Sequence, residues 1–154
     1  MQNYAKESSM KKKILTSLIS ISLVFCACCV RADDDDGRPV QFNPNVKDYT
    51  GAYLERFNFS GMNLEGFVFE KARLDRADFT GANLKGANFK GADIEKATFE
   101  NANLEDATFE NADLEETSLK NANIENTCFK NAELEYAIWV NGKVCGAGSV
   151  GSCW

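Results

Sequence analysis

Carboxylates recur at twenty-residue spacings in the second half of this 154-residue chain. Glu95, Glu115 and Glu135 form one series, Asp93, Asp113 and Glu133 a second, and Glu116 lies beside them. Such side chains could chelate a cation, share a proton in acid–base chemistry or hold a basic partner. The chain has no His, which removes the commonest general base and the usual triads. No glycine-rich phosphate loop follows a strand pattern. The other reactive groups are six cysteines: Cys26, Cys28 and Cys29 near the start, and Cys128, Cys145 and Cys153 near the end. The late three lack a His and the spacing of a zinc site. No catalytic residue, metal or cofactor is expected, and a carboxylate-based hydrolase ranks last among the readings.

The elements that must position these groups follow a period of five. Leu54, Phe59, Leu64, Phe69, Leu74, Phe79, Leu84, Phe89, Ile94, Phe99, Leu104, Phe109, Leu114, Leu119, Ile124, Phe129, Leu134 and Trp139 are large, apolar and five apart. Two residues before each stands a small or apolar side chain, usually Ala. A helix would scatter such residues around its axis, and a long strand would alternate their faces. The pattern requires a short extended piece and then a corner. Gly61, Gly66, Gly81, Gly86 and Gly91 stand two places after a central apolar residue, as do Asn101, Asn111, Asn121, Asn126, Asn131 and Asn141. Gly and Asn accept a positive φ most readily, so each is expected to turn a corner. Internal repetition of this kind reads as a solenoid.

Fives such as Ala82-Asn83-Leu84-Lys85-Gly86 and Ala92-Asp93-Ile94-Glu95-Lys96 resemble the pentapeptide repeat family. Eighteen consecutive fives, residues 52–141, carry the resemblance. It implies an all-β fold, a right-handed quadrilateral parallel β-helix with four fives per coil and about 4.5 coils, or roughly 22 Å at the ~4.8 Å strand spacing. Residues twenty apart then stack, giving two aliphatic and two mainly aromatic core columns. Phe57, Met62, Phe67, Thr117 and Thr127 depart from the usual Ala. The first three, with Phe42 and Tyr53, are expected to plug the amino-terminal end, because a bare terminal coil would expose both core and strand edges.

Residues 1–32 have the make-up of an export signal, with Met10 as a possible true start. Lys11-Lys12-Lys13 precede a short apolar stretch, Ile14 to Val30, and Val30-Arg31-Ala32 gives small residues around a cleavage point. Cleavage after Ala32 competes with lipidation at Cys26 or Cys28, which would make a membrane-anchored lipoprotein of the envelope. An uncleaved anchor is a further alternative. The leader holds five basic residues (Lys6, Lys11, Lys12, Lys13, Arg31) and Glu7, so its removal takes the formal charge from −6 to −10. An acidic surface argues against direct nucleic-acid binding. Residues 33–51, opening with Asp33-Asp34-Asp35-Asp36, read as a solvated acidic tail and amino-terminal cap.

Residues 142–154 read as a carboxy-terminal cap. Cys145 and Cys153 flank a short glycine-rich segment that an oxidising compartment would close as a disulfide. The stretch from Trp139 to Cys153 also resembles the tail of other exported bacterial members. Cys128 precedes an inward Phe129, so it is expected to point outward, left over as a free or an intermolecular thiol.

Stacked by twenties, Asp93, Glu95, Asp113, Glu115, Glu116, Glu133 and Glu135 face Lys96 alone and form the candidate binding patch. The first-ranked function is an exported, periplasmic or secreted, non-catalytic binding or structural module with an unknown protein partner, monomeric or dimeric. The resemblance also raises a DNA-mimic, topoisomerase-protecting protein. Known targets of that kind are cytoplasmic, so the leader counts against it.

Overall fold

The computed structural model describes residues 42–153. The expected leader with its cysteines, the Asp33–Asp36 run and Trp154 lie outside these residues.

Each five makes one side of a square coil, and from Asp48 to Ser118 each side pairs in parallel with the side twenty residues on. The first face runs Tyr53, Arg73, Asp93, Asp113, Glu133. The second runs Asn58, Asp78, Thr98, Ser118, Ile138. The third runs Asn63, Asn83, Asn103, Asn123, and the fourth Asp48, Val68, Asn88, Thr108, Cys128. Both main-chain groups are used: Leu74 N donates to Asp93 O at 2.7 Å, and Asp93 N donates to Ala72 O at 3.0 Å. The ladder begins at Asp48, inside the segment expected to be tail and cap. The five containing Asp48 and Tyr49 lacks the usual Ala, so the sequence pattern hid it.

The corners are turns closed by bonds such as Ala92 N to Phe89 O, 3.0 Å. Gly91 supplies the positive φ (62°) at that corner. Arg56, Lys71, Arg76, Lys96, Asp106, Glu116 and Tyr136 take the same left-handed conformation, with φ of 56–60°. Stacking of the coil fixes the corner even where the residue does not favour it. Asn141 is a correction. It is not left-handed; Gly142 is, at φ 79°. The repeat has ended there and the chain reverses into the cap.

The inward columns are buried except at Ile124 and Trp139, which are partly exposed. Both lie on last rungs of their faces, with no complete coil beneath. The aromatic columns stack face on face: Phe79–Phe99 at 4.7 Å and 2°, Phe89–Phe109 at 4.8 Å and 1°. Across the tube they meet edge to face, as at Phe89–Phe99, 5.7 Å and 87°. The edge-on contacts suit the ring quadrupole. Thr117 and Thr127 replace Ala without leaving a hydroxyl orphaned, because they donate to Ile94 O (3.1 Å) and Leu104 O (2.8 Å).

The two ends are closed differently. At the amino end Phe42 stacks on Tyr49 (5.1 Å) and contacts Phe57, Phe59 and Phe67. The Tyr49 hydroxyl donates to Asn43 O and accepts from Asn43 N. Met62 packs partly buried against the hydrophobic core. Tyr53 is a correction: it lies outside the plug, exposed, with the Arg73 guanidinium 5.7 Å from its ring centroid. Tyr49 takes the inward place, because its position falls in phase with the columns and that of Tyr53 does not. At the carboxy end the tail doubles back in antiparallel pairing, Ile138 with Val144 and Glu133 with Val150. Cys145 and Cys153 are disulfide-bonded, with Cα atoms 4.9 Å apart. Cys128 is exposed and unpaired among the described residues.

Candidate binding surface

Side chains at the paired positions and at the second and third places after them point outward, while the place between is an inward column residue such as Leu114, so the first face carries the carboxylates in register. Asp93, Asp113 and Glu133 occupy successive rungs. Glu95, Glu115 and Glu135 follow each of them two residues later. Glu115 N donates to Asp113 Oδ1 at 3.0 Å, which fixes that carboxylate against its own corner.

Cations reach only the upper part of this strip. Arg73 spans two coils, 2.9 Å from Glu55 and 3.8 Å from Asp93. Lys96 binds Glu95 and lies 3.6 Å from Glu116. The expectation that Lys96 alone serves the patch is therefore corrected: Arg73 reaches down from the preceding coil, which its long side chain allows. Asp113, Glu115, Glu133 and Glu135 have no ion-pair partner among the described residues, and Tyr136 stands exposed beside Glu135. No group of three or more potential ligands among the described residues is arranged to hold a metal ion.

The crowding shows in the titration of the strip. Desolvation raises the Asp93 pKa above its ordinary value, opposed by a backbone hydrogen bond from Glu95 and reinforced by Asp113. Desolvation also raises Glu115, with Glu135, Asp113, Glu95 and Glu116 adding to it. The Tyr136 hydroxyl is raised by its hydrogen bond to Glu135. On the fourth face the sign reverses. Lys90 (3.0 Å) and Lys130 (3.3 Å) clasp Glu110 and lower its pKa.

These shifts predict opposite pH responses. A carboxyl with a raised folded pKa binds its proton better when folded, so it adds stability as pH falls toward that pKa and opposes folding above it. Glu115→Gln is expected to raise the melting temperature at about pH 7 and to change it little at about pH 3, where both states are protonated. Glu110 contributes stability above its unfolded pKa and loses it as pH falls through the lowered folded value. Glu110→Gln should therefore lower the melting temperature near neutrality. Thermal melts of both variants across that pH range check the pair.

Two surface features escaped the sequence reading. Lys85 on the third face binds Glu105 at 2.6 Å, with Asp106 at 3.9 Å. On the same face the Asn column is hydrogen-bonded through its side chains. Asn83, Asn103 and Asn123 each donate through Nδ2 to Oδ1 of the Asn one coil above, at 3.0, 3.3 and 3.0 Å. Four Asn at twenty-residue spacing was the available signal.

Two pentapeptide-repeat family models, of nine and eight copies, match residues 74–118 and 50–86. The chain belongs to the pentapeptide repeat family. Pentapeptide repeat proteins form right-handed quadrilateral β-helices, and the four-sided parallel ladder is that architecture. Among solved structures, a pentapeptide repeat protein (Rfr23) of the cyanobacterium Cyanothece 51142 is 33% identical, with a TM-score of 0.59. The match covers 60% of this chain and 63% of that one, so this chain spans less than two thirds of its length. A pentapeptide repeat protein of the Arabidopsis thaliana thylakoid lumen is 32% identical, covering 62% and 69% of the two chains, with a TM-score of 0.43. The plasmid-mediated fluoroquinolone resistance protein QnrB1 is 18% identical over 58% of this chain and 69% of its own, with a TM-score of 0.22. No curated protein matches the sequence.

Proposed function

We propose that this pentapeptide repeat chain is an exported, non-catalytic binding or structural module whose first face receives a basic protein partner. The observation that carries the reading is the run of Asp113, Glu115, Glu133 and Glu135 without cation partners, bordered by exposed Tyr136. A row of like charges is unfavourable for the free protein, and a basic partner would relieve it. An aromatic ring at the border adds contact area of a kind enriched at interfaces. The absence of His in the whole sequence supports a non-catalytic role. Export rests on the basic, apolar and small-residue order of residues 1–32. The likeness to QnrB1 lends no argument to topoisomerase protection at that level of similarity.

The test is affinity capture from the periplasmic and secreted fractions. Wild-type chain should enrich a basic protein, and added salt should release it. A variant carrying D113N, E115Q, E133Q and E135Q should lose it. Equal recovery by both baits means the strip is only a solvated face. Fractionation checks export separately: a chain that keeps residues 1–32 and stays in the cytoplasm refutes it.

A further inference from the structure

We propose that the Cys145–Cys153 disulfide is a redox latch on the carboxy-terminal cap: its reduction releases residues 146–153 from the first face while the repeat coils stay folded. The cap and the coils are held by different means. Each inner side of the tube is gripped by main-chain bonds to the coils above and below it. Residues 146–153 make two such bonds to the tube, Leu134 N to Ser149 O and Gly151 N to Ala132 O, both 2.9 Å. Ser149 N closes only a local turn on Gly146 O.

The segment is otherwise poorly suited to stay ordered. It contains Gly146, Gly148 and Gly151, which lose the most freedom on ordering. Gly148 and Gly151 sit at φ of +75° and +70°. The Ser149 hydroxyl is buried with no hydrogen-bond partner, which opposes the closed state. Beyond those two bonds and the packing of Cys153 on the core, what holds the segment is the covalent closure eight residues long, anchored on Cys145, which is 1% exposed.

Cys145 is buried and Cys153 only half-buried, and this sets the course of opening. A dithiol reductant's thiolate attacks the more accessible Cys153 Sγ. A mixed disulfide forms there, and the Cys145 sulfur leaves as a thiolate that takes up a proton. The reductant's second thiol then attacks its own sulfur in the mixed disulfide and frees Cys153. Two electrons pass to the protein disulfide, and the dithiol leaves as a cyclic disulfide. The Ile138–Val144 hairpin lies before Cys145 and stays in place. The Glu133 rung is uncovered, leaving Leu134 N and Ala132 O unpaired beside Glu133 and Glu135.

Hydrogen exchange on the full chain, oxidised and fully reduced by a dithiol, tests the latch, with thiol titration to verify reduction. The amides of Leu134 and Gly151 should exchange on the order of 50-fold faster after reduction, as loss of so short a closure implies. The amides of Phe99 and Leu104 should not change. Cys153→Ser should show the reduced pattern without reductant. Unchanged protection at Leu134 and Gly151 in the reduced chain overturns the proposal. So does loss of protection throughout the coils, which would make the disulfide a support of the whole fold.

Discussion

Deleting Gly86 alone is expected to cost more stability than deleting the twenty residues 83–102. The longer deletion joins Ala82 to Asn103 and restores every column. Leu104 comes to stand where Leu84 stood, and Phe109 stacks on Phe69. The shortened tube loses one coil's share of a roughly additive stability and keeps its fold. The single deletion leaves one coil a residue short of four sides. Either one side must span its corners with ~3.3 Å less chain, or residues beyond the cut shift phase. A shift of one place directs polar side chains such as Asn88 inward, each unsatisfied group costing about 1–3 kcal/mol. With several such groups the loss should reach about 5 kcal/mol or more. Urea unfolding followed by circular dichroism measures both. A single deletion as stable as the wild type would mean that the corners tolerate slippage and the register is not what holds the tube.

Phe99→Ala should be among the most damaging single substitutions, at about 3–5 kcal/mol. The ring is fully buried and lies on Phe79 at 4.7 Å, with Phe89 and Phe109 edge-on at 5.7 and 5.6 Å. Neighbouring coils are locked by main-chain bonds, so they cannot collapse into the space left behind. Phe99→Leu should recover most of the loss, since Leu119 already fills the same column one coil below. Chemical denaturation of the three chains gives the comparison. A small loss in the Ala variant would show that the coils can close on a cavity after all.

The inward columns could be read from the sequence because their signal is local. Each five repeats the same requirement, and Leu or Phe at every fifth place admits few ways to fold. The Cys145–Cys153 pairing was legible for a related reason, since both residues lie in one short flexible stretch. What stayed hidden depends on neighbours twenty residues away or on where the repetition stops. Tyr49 was missed because its five lacks Ala, although its phase fits the column. Arg73 was not placed with Asp93 because side-chain reach across a coil is not a pattern of residue types. Left-handed corners at Arg56 or Glu116 run against residue preference and are imposed by the stack. The antiparallel return of residues 144–150 has no repeating signal, and chain direction cannot be inferred from composition. For the candidate strip, the sequence supplied the carboxylates; it did not show which were already neutralised.

The amides along Asn63, Asn83, Asn103 and Asn123 all face the same way, the last three each giving a hydrogen to the one above. None can flip without facing donor to donor or acceptor to acceptor. The row is therefore a vector. It presents an NH2 group at its Asn63 end, whereas the Asn123 oxygen at the other end is already engaged by Glu125 N. Anything lying along that side of the molecule would meet a surface with a head and a tail, although the shape beneath it repeats identically.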